Sequence, residues 1–169
     1  FSKDVMPDND ITLYAKWERN KYSISFNSNS GSSVDSITDY YGEKVNKPEN
    51  PTRKGYTFAG WFTDNSYKNE YAFTTMPAEN IELIAKWTPN TNTPYKVEHY
   101  QMGLDGKYGS VYETENLTGT TDAEITVNTK TYEGFTSPNA EKITINADGS
   151  TVVKYYYERN KYTVSVTGD

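Results

Sequence analysis

Glu18-Arg19-Asn20-Lys21-Tyr22-Ser23-Ile24-Ser25-Phe26 decides the reading of this chain twice over. Tyr22, Ile24 and Phe26 alternate with Ser23 and Ser25, a period of two that sets three apolar side chains on one face of a β-strand. The same stretch then returns as Glu158-Arg159-Asn160-Lys161-Tyr162-Thr163-Val164-Ser165-Val166, 140 residues later. Half that interval separates Met6-Pro7, Asn9, Ile11, Leu13 and Ala15-Lys16-Trp17 from Met76-Pro77, Asn80, Ile81, Leu83 and Ala85-Lys86-Trp87, so the period is 70 residues. Self-similarity at a fixed period marks a repeat array, in which each unit is a small structure of its own.

The period divides the chain into the tail of one unit (1–18), a complete unit (19–88), a linker (89–94), a second complete unit (95–158) and the first strand of a further unit (159–169). The linker Pro89-Asn90-Thr91-Asn92-Thr93-Pro94 is polar and bracketed by prolines, which predicts an extended, semi-stiff connection. Ile81, Leu83, Ala85 and Trp87 form a second alternating face. Tyr95, Val97 and His99 oppose Lys96, Glu98 and Tyr100, and Thr151, Val153, Tyr155 and Tyr157 close the later unit. Tyr41-Gly42, Lys54-Gly55, Asp105-Gly106 and Asp148-Gly149 supply turns. Only 64–71 and 122–124 leave room for a short helical turn. Two half-strands, 11–17 and 161–166, lack the rest of their units and are expected to lie as edges on a neighbouring molecule or on the adjacent unit.

Composition agrees with a mostly β protein. Leu, Ile, Val and Phe make up only 28 of 169 residues, yet 16 Tyr and 3 Trp restore buriable apolar surface, so the core is expected to be aromatic. Thr (22) and Asn (16) favour strands and turns over helices. A net charge of -6 argues against nucleic-acid binding, which needs a basic stripe, and no apolar run approaches the ~20 residues of a membrane-spanning helix. With no cysteine there is no disulfide or thiolate chemistry. The chain opens on Phe1, which is read as the start of a piece cut from a longer protein.

The unit 19–88 resembles the Listeria-Bacteroides repeat, also called the internalin-type B repeat. The residues that carry this are Tyr22 through Asn29, Tyr41-Gly42, Pro48, Pro51-Thr52-Arg53-Lys54-Gly55-Tyr56-Thr57-Phe58-Ala59-Gly60-Trp61, and Met76-Pro77 through Ala85-Lys86-Trp87. Two positions depart from the family pattern. Ser30 stands where the family has the first Gly of an Asn-Gly-Gly turn, and Ile84 stands where Tyr14 keeps a Tyr. The unit 95–158 resembles a mucin-binding-protein (MucBP) type repeat through Tyr95 to Tyr100, Asp105-Gly106-Lys107, Leu117-Thr118-Gly119, Tyr132-Glu133-Gly134-Phe135 and Thr151 to Tyr157. These resemblances imply small β-grasp-like modules in an elongated array, on the outside of a bacterial cell, attached to the wall through regions outside this stretch. They further imply a non-enzymatic stalk that spaces and presents a distal adhesive domain, monomeric in solution and without cofactor or metal.

The chemistry-bearing residues fit that picture. His99 is the sole histidine, and its sequence neighbours face away from it, so no metal set or catalytic triad assembles locally; a strand histidine packed beside Tyr95 or Val97 is expected. Asp8-Asn9-Asp10 and Asp148-Gly149 lack further acidic ligands at calcium-loop spacing and read as turns. Trp17, Trp61 and Trp87 read as core or inter-unit packing. A Lys to Asn isopeptide crosslink would need a buried Lys, Asn and acid, whereas Lys and Asn here fall mostly in turns. The alternative to a stalk is a ligand-binding module. Its exposed tyrosines Tyr100, Tyr108, Tyr112 and Tyr156 would contact a host glycan, mucin or surface protein.

Overall fold

The computed structural model describes residue 10 and residues 12–168. The first half of the chain holds β1 (Lys21–Asn27), β2 (Ile37–Tyr40), β3 (Tyr56–Phe62) and β4 (Ile81–Pro89). The second holds β5 (Thr93–Gln101), β6 (Glu113–Gly119), β7 (Glu124–Val127), β8 (Phe135–Thr136), β9 (Glu141–Thr144) and β10 (Val152–Arg159). No helix occurs among the described residues: both stretches expected to hold a helical turn are bends and turns, with Tyr67 and Asp122 at positive φ.

Both halves build the same four-stranded sheet. The first has the order β2-β1-β4-β3, with β1 parallel to β4 and antiparallel neighbours outside. The second has the order β6-β5-β10-β8 with the same directions, and a separate β7-β9 hairpin is added. First and last strands of each unit are thus its central pair. Every long-range backbone ladder of a unit closes within that unit.

The alternating pattern of β1 and β4 becomes the core of the first sheet. Ile24, Leu83 and Ala85 are fully buried, with Tyr22, Phe26, Ile81 and Trp87 packed against them. Phe58 and Trp61 would face opposite sides of a regular strand, being an odd number of residues apart. A bulge at Ala59-Gly60 resets the pleat, and Gly60 at φ +128° makes it possible. Phe58 consequently pairs with Trp87 and Trp61 with Ala85, both on the core face. Trp61 then meets Phe26 at 4.8 Å and Phe58 at 5.4 Å between ring centroids. The loops add Val45, Phe73 and Met76 over this cluster.

The second core uses Val97, Val127, Val153, Tyr155 and Tyr157. Tyr155 and Tyr157 are fully buried because each phenol finds partners inside: Tyr155 Oη donates to the Val127 carbonyl at 2.6 Å, and Tyr157 Oη accepts the Lys130 amide at 3.0 Å. The expected strand from 11 to 17 does not form over its described part, and neither does 161–166. Leu13, Tyr14 and Trp17 are exposed, as are Tyr162, Val164 and Val166, and Ile11 lies outside the described residues. A strand in this fold needs partners from its own unit, which neither segment has among the described residues. Trp17 is accordingly on the surface, unlike Trp61 and Trp87.

Candidate functional site

Three features carry chemistry or contact potential. The first is an aromatic ladder on the solvent face of the β5-β10 pair. Parallel register sets Glu98 beside Lys154 and Tyr100 beside Tyr156. The Tyr100 and Tyr156 rings stack with centroids 4.9 Å apart, and Tyr108 closes edge-on against Tyr156 at 5.0 Å. Tyr100 Oη donates to Glu98 Oε2 at 2.7 Å, which, with the neighbouring charge, pushes the phenol up to about 12. Desolvation first, and then Glu158, also raise Tyr108. These hydroxyls are therefore neutral donors at physiological pH. Beside the ladder lies an open groove of about 620 Å³ whose wall runs from Gln101 to Tyr112 and includes Asp105, Lys107 and Arg159. Of the four tyrosines singled out from sequence, Tyr100, Tyr108 and Tyr156 come together. Tyr112 also lines the groove and packs on Tyr132 at 5.4 Å.

The second feature is a buried polar chain around His99, which is fully buried and lies within ring distance of Tyr132, Tyr155 and Tyr157 rather than packing only on its strand neighbours. Its Nδ1 lies 2.8 Å from Tyr157 Oη and its Nε2 lies 2.8 Å from Glu115 Oε1. Because the carboxylate only accepts, Nε2 carries the hydrogen and Nδ1 accepts from the phenol. Lys130 Nζ continues the chain, 3.3 Å from Glu115 and 2.5 Å from Glu113, and Tyr132 Oη donates to Glu113 at 2.7 Å. Hydrogen bonds from Lys130 and Tyr132 hold Glu113 below the usual carboxylate range, while Glu113 holds Lys130 above the usual ammonium range. Burial, then Glu113, raises Tyr132.

A hydroxyl, an imidazole and a carboxylate in series look like a nucleophile set, but Tyr157 and His99 are both closed to solvent, so no substrate reaches the hydroxyl. The chain instead satisfies polar groups that burial would otherwise penalise. Lys130 is occupied by two carboxylates. Sequence reasoning missed this cluster because its bonded partners are 15 to 58 residues apart and not neighbours in sequence.

The third feature is the joint between the sheets. The strands run into the expected linker, leaving only residues 90–92 between β4 and β5. Pro89 ends β4, and Pro94 sits ahead of Lys96, where β10 begins to pair, so neither proline costs a ladder bond at a two-sided position. Asn90 N-H donates to the Gly55 carbonyl at 2.9 Å, and Asn90 C=O accepts from Thr121 N-H at 2.9 Å. Thr121 Oγ1 donates to the same Gly55 carbonyl at 2.8 Å and so accepts from buried Thr93 Oγ1 at 2.6 Å. Tyr56 Oη also reaches Asp122. Gly55, at φ +78°, lies so close to Ala147 that an added Cβ would stand 2.5 Å from its carbonyl oxygen. Each such bond contributes about 0.5–1.5 kcal/mol net.

Two sheets of one topology, set in series and meeting at a hydrogen-bonded joint, define the class: an all-β tandem-repeat protein. Residues 22–86 match the family model described as the Listeria-Bacteroides repeat domain (List_Bact_rpt). Internalin H of Listeria monocytogenes serovar 1/2a is 38% identical over 94 residues, which cover 54% of this chain and 17% of internalin H. A protein of Evansella cellulosilytica is 38% identical over 119 residues, 70% of this chain and 17% of that relative. The chain thus spans about a sixth of the length of these relatives. Among solved structures, domains 3-4 of the Streptococcal High Identity Repeats in Tandem from a cell surface protein overlap 83% of this chain and 98% of theirs at 18% identity and a TM-score of 0.27. The type 2 repeat of the mucus binding protein MUB from Lactobacillus reuteri overlaps 83% and 99% at 10% identity and a TM-score of 0.27. At that score an overlap does not establish a common arrangement.

Proposed function

We propose that this chain is an extracellular, non-enzymatic segment of a bacterial surface protein, attached to the wall through regions outside it, that spaces and presents a distal adhesive domain. The observation that supports this reading is the joint. A spacer has to transmit position from one unit to the next, and Asn90, Gly55 and Thr121 tie the two sheets together through consecutive short hydrogen bonds. Residues 19–88 and 95–158 are the two complete units of this spacer, the later one being of the MucBP type. Each closes its own sheet and core, so reach is gained by adding units in series. The spacer is monomeric in dilute solution.

A second reading is favoured by the aromatic ladder. Stacked Tyr100 and Tyr156, edge-on Tyr108 and a polar groove beside them offer both a stacking platform and hydrogen-bonding groups, which suits a host glycan or mucin sugar. A glycan array probed with the folded chain separates the two. The spacer reading expects silence; dose-dependent binding that Tyr156→Ala abolishes would replace it with the ligand-binding one.

A further inference from the structure

Asn recurs at 20, 90 and 160, always three residues beyond the last aromatic of an alternating stretch of sequence, Trp17, Trp87 or Tyr157. At Asn90 the joint is complete. At the other two positions the structure shows one half each, and the halves are different. Asn160 makes the upstream half: its N-H donates to the Gly134 carbonyl at 2.9 Å and its Oδ1 accepts from Thr136 Oγ1 at 2.7 Å. Those bonds copy Asn90 on Gly55 and Thr57, at 2.9 and 2.8 Å. Gly55 and Gly134 have nearly the same φ, +78° and +79°, and the residue before each Asn pairs with the aromatic after each Gly.

Asn20 makes the downstream half. Its carbonyl accepts from Tyr41 N-H at 3.0 Å, as that of Asn90 does from Thr121. The preceding arginines divide in the same way. Arg159 Nε donates upstream to the Met102 carbonyl at 3.2 Å, whereas Arg19 Nη2 donates downstream to the Tyr41 carbonyl at 2.9 Å and pairs with Glu43 at 2.7 Å. These use different nitrogens and different backbone atoms. One Arg-Asn pair can therefore hold both sides at once.

We propose that Arg159, Asn160 and the Gly134 turn form a docking face for a further β unit of the Listeria-Bacteroides type beginning at Lys161, held in a fixed orientation by one Arg-Asn pair. The occupant follows from the repeated Glu-Arg-Asn-Lys-Tyr, whose first copy leads directly into such a unit at β1. The proposal deepens the spacer reading and rests on it. In a chain whose glycan array is silent but whose new joint is loose, the spacer survives and this coupling falls.

The test extends the full chain by placing a copy of residues 21–88 after Asn160 in place of 161–169. Because the protein has no cysteine, spin labels can be placed cleanly by Leu104→Cys, an exposed site, and by Asn46→Cys in the added copy. Pulsed dipolar measurements should give a single narrow distance distribution, at least twofold broader in the Arg159→Ala, Thr136→Val double variant. Arg159→Lys, which keeps charge but loses the fork, should broaden it as well. Amide spectra of Val97 check that the neighbouring unit stays folded. A distribution that is broad from the start, or narrow and unmoved in both variants, overturns the proposal.

Discussion

At the scale of single residues, the departures from a repeat pattern show where energy is stored. Ser30 occupies the place of a turn glycine and adopts φ +68°, a left-handed conformation that costs an L-residue about 1–2 kcal/mol. Ser30→Gly removes that strain but loosens the unfolded chain, so we predict a net gain of about 0.5–1 kcal/mol in urea unfolding followed by Trp fluorescence. A loss of stability would mean that the Ser30 side chain makes a compensating bond. Glu113 is the converse case. Its folded pKa is held below the ordinary 4.5 by Lys130 and Tyr132, so its contribution is fully present above about 4.5 and is lost as the pH falls through and below that value. Glu113→Gln should flatten the acid limb of stability for the 95–158 unit, read from the amides of Val97 and Val153. Acid limbs identical in the variant and the parent protein would remove Glu113 from that role.

At the scale of elements, strand faces were legible because a period of two survives in Tyr22-Ile24-Phe26, in Ile81-Leu83-Ala85 and in Thr151-Val153-Tyr155-Tyr157, all of which turn inward. The bulge at Gly60 was not legible, since Phe58 and Trp61 break the alternation and only the observed register shows why. The partners of His99 were hidden for a related reason, being fixed by β5-β6 and β5-β10 pairing rather than by neighbours in sequence. Of the four tyrosines, Tyr100, Tyr108 and Tyr156 meet in the ladder, while Tyr112 packs on Tyr132. Alternation put Tyr100 and Tyr156 outward, but Tyr108 and Tyr112 lie outside the strands, where there is no periodic signal. Terminal strands were expected because their pattern is strand-like; without partners from their own unit the pattern alone does not form a sheet. Trp61 is the strongest element-scale test. Its ring is 1% exposed among Phe26, Phe58 and the sheet, so Trp61→Ala should destabilise the 19–88 unit by about 3–5 kcal/mol in denaturant unfolding. A loss under about 1 kcal/mol would contradict the placement of this ring at the centre of the core.

At the scale of the whole molecule, two units with separate cores and one hydrogen-bonded joint make a different object from a single globule of the same length. Small cores of this kind rely on aromatic area, and low aliphatic content is tolerated because Tyr155, Tyr157 and Trp61 each bury a large ring. In the proposed spacer, the joint sets the position of one such unit on the next. Small-angle X-ray scattering of the chain in dilute solution tests this most directly. A compact globule of 169 residues has a radius of gyration of about 15 Å by the usual scaling. Units in series should give a value clearly above that, unchanged on dilution, with a two-lobed distance distribution. A value at about 15 Å with a single symmetric peak would contradict it.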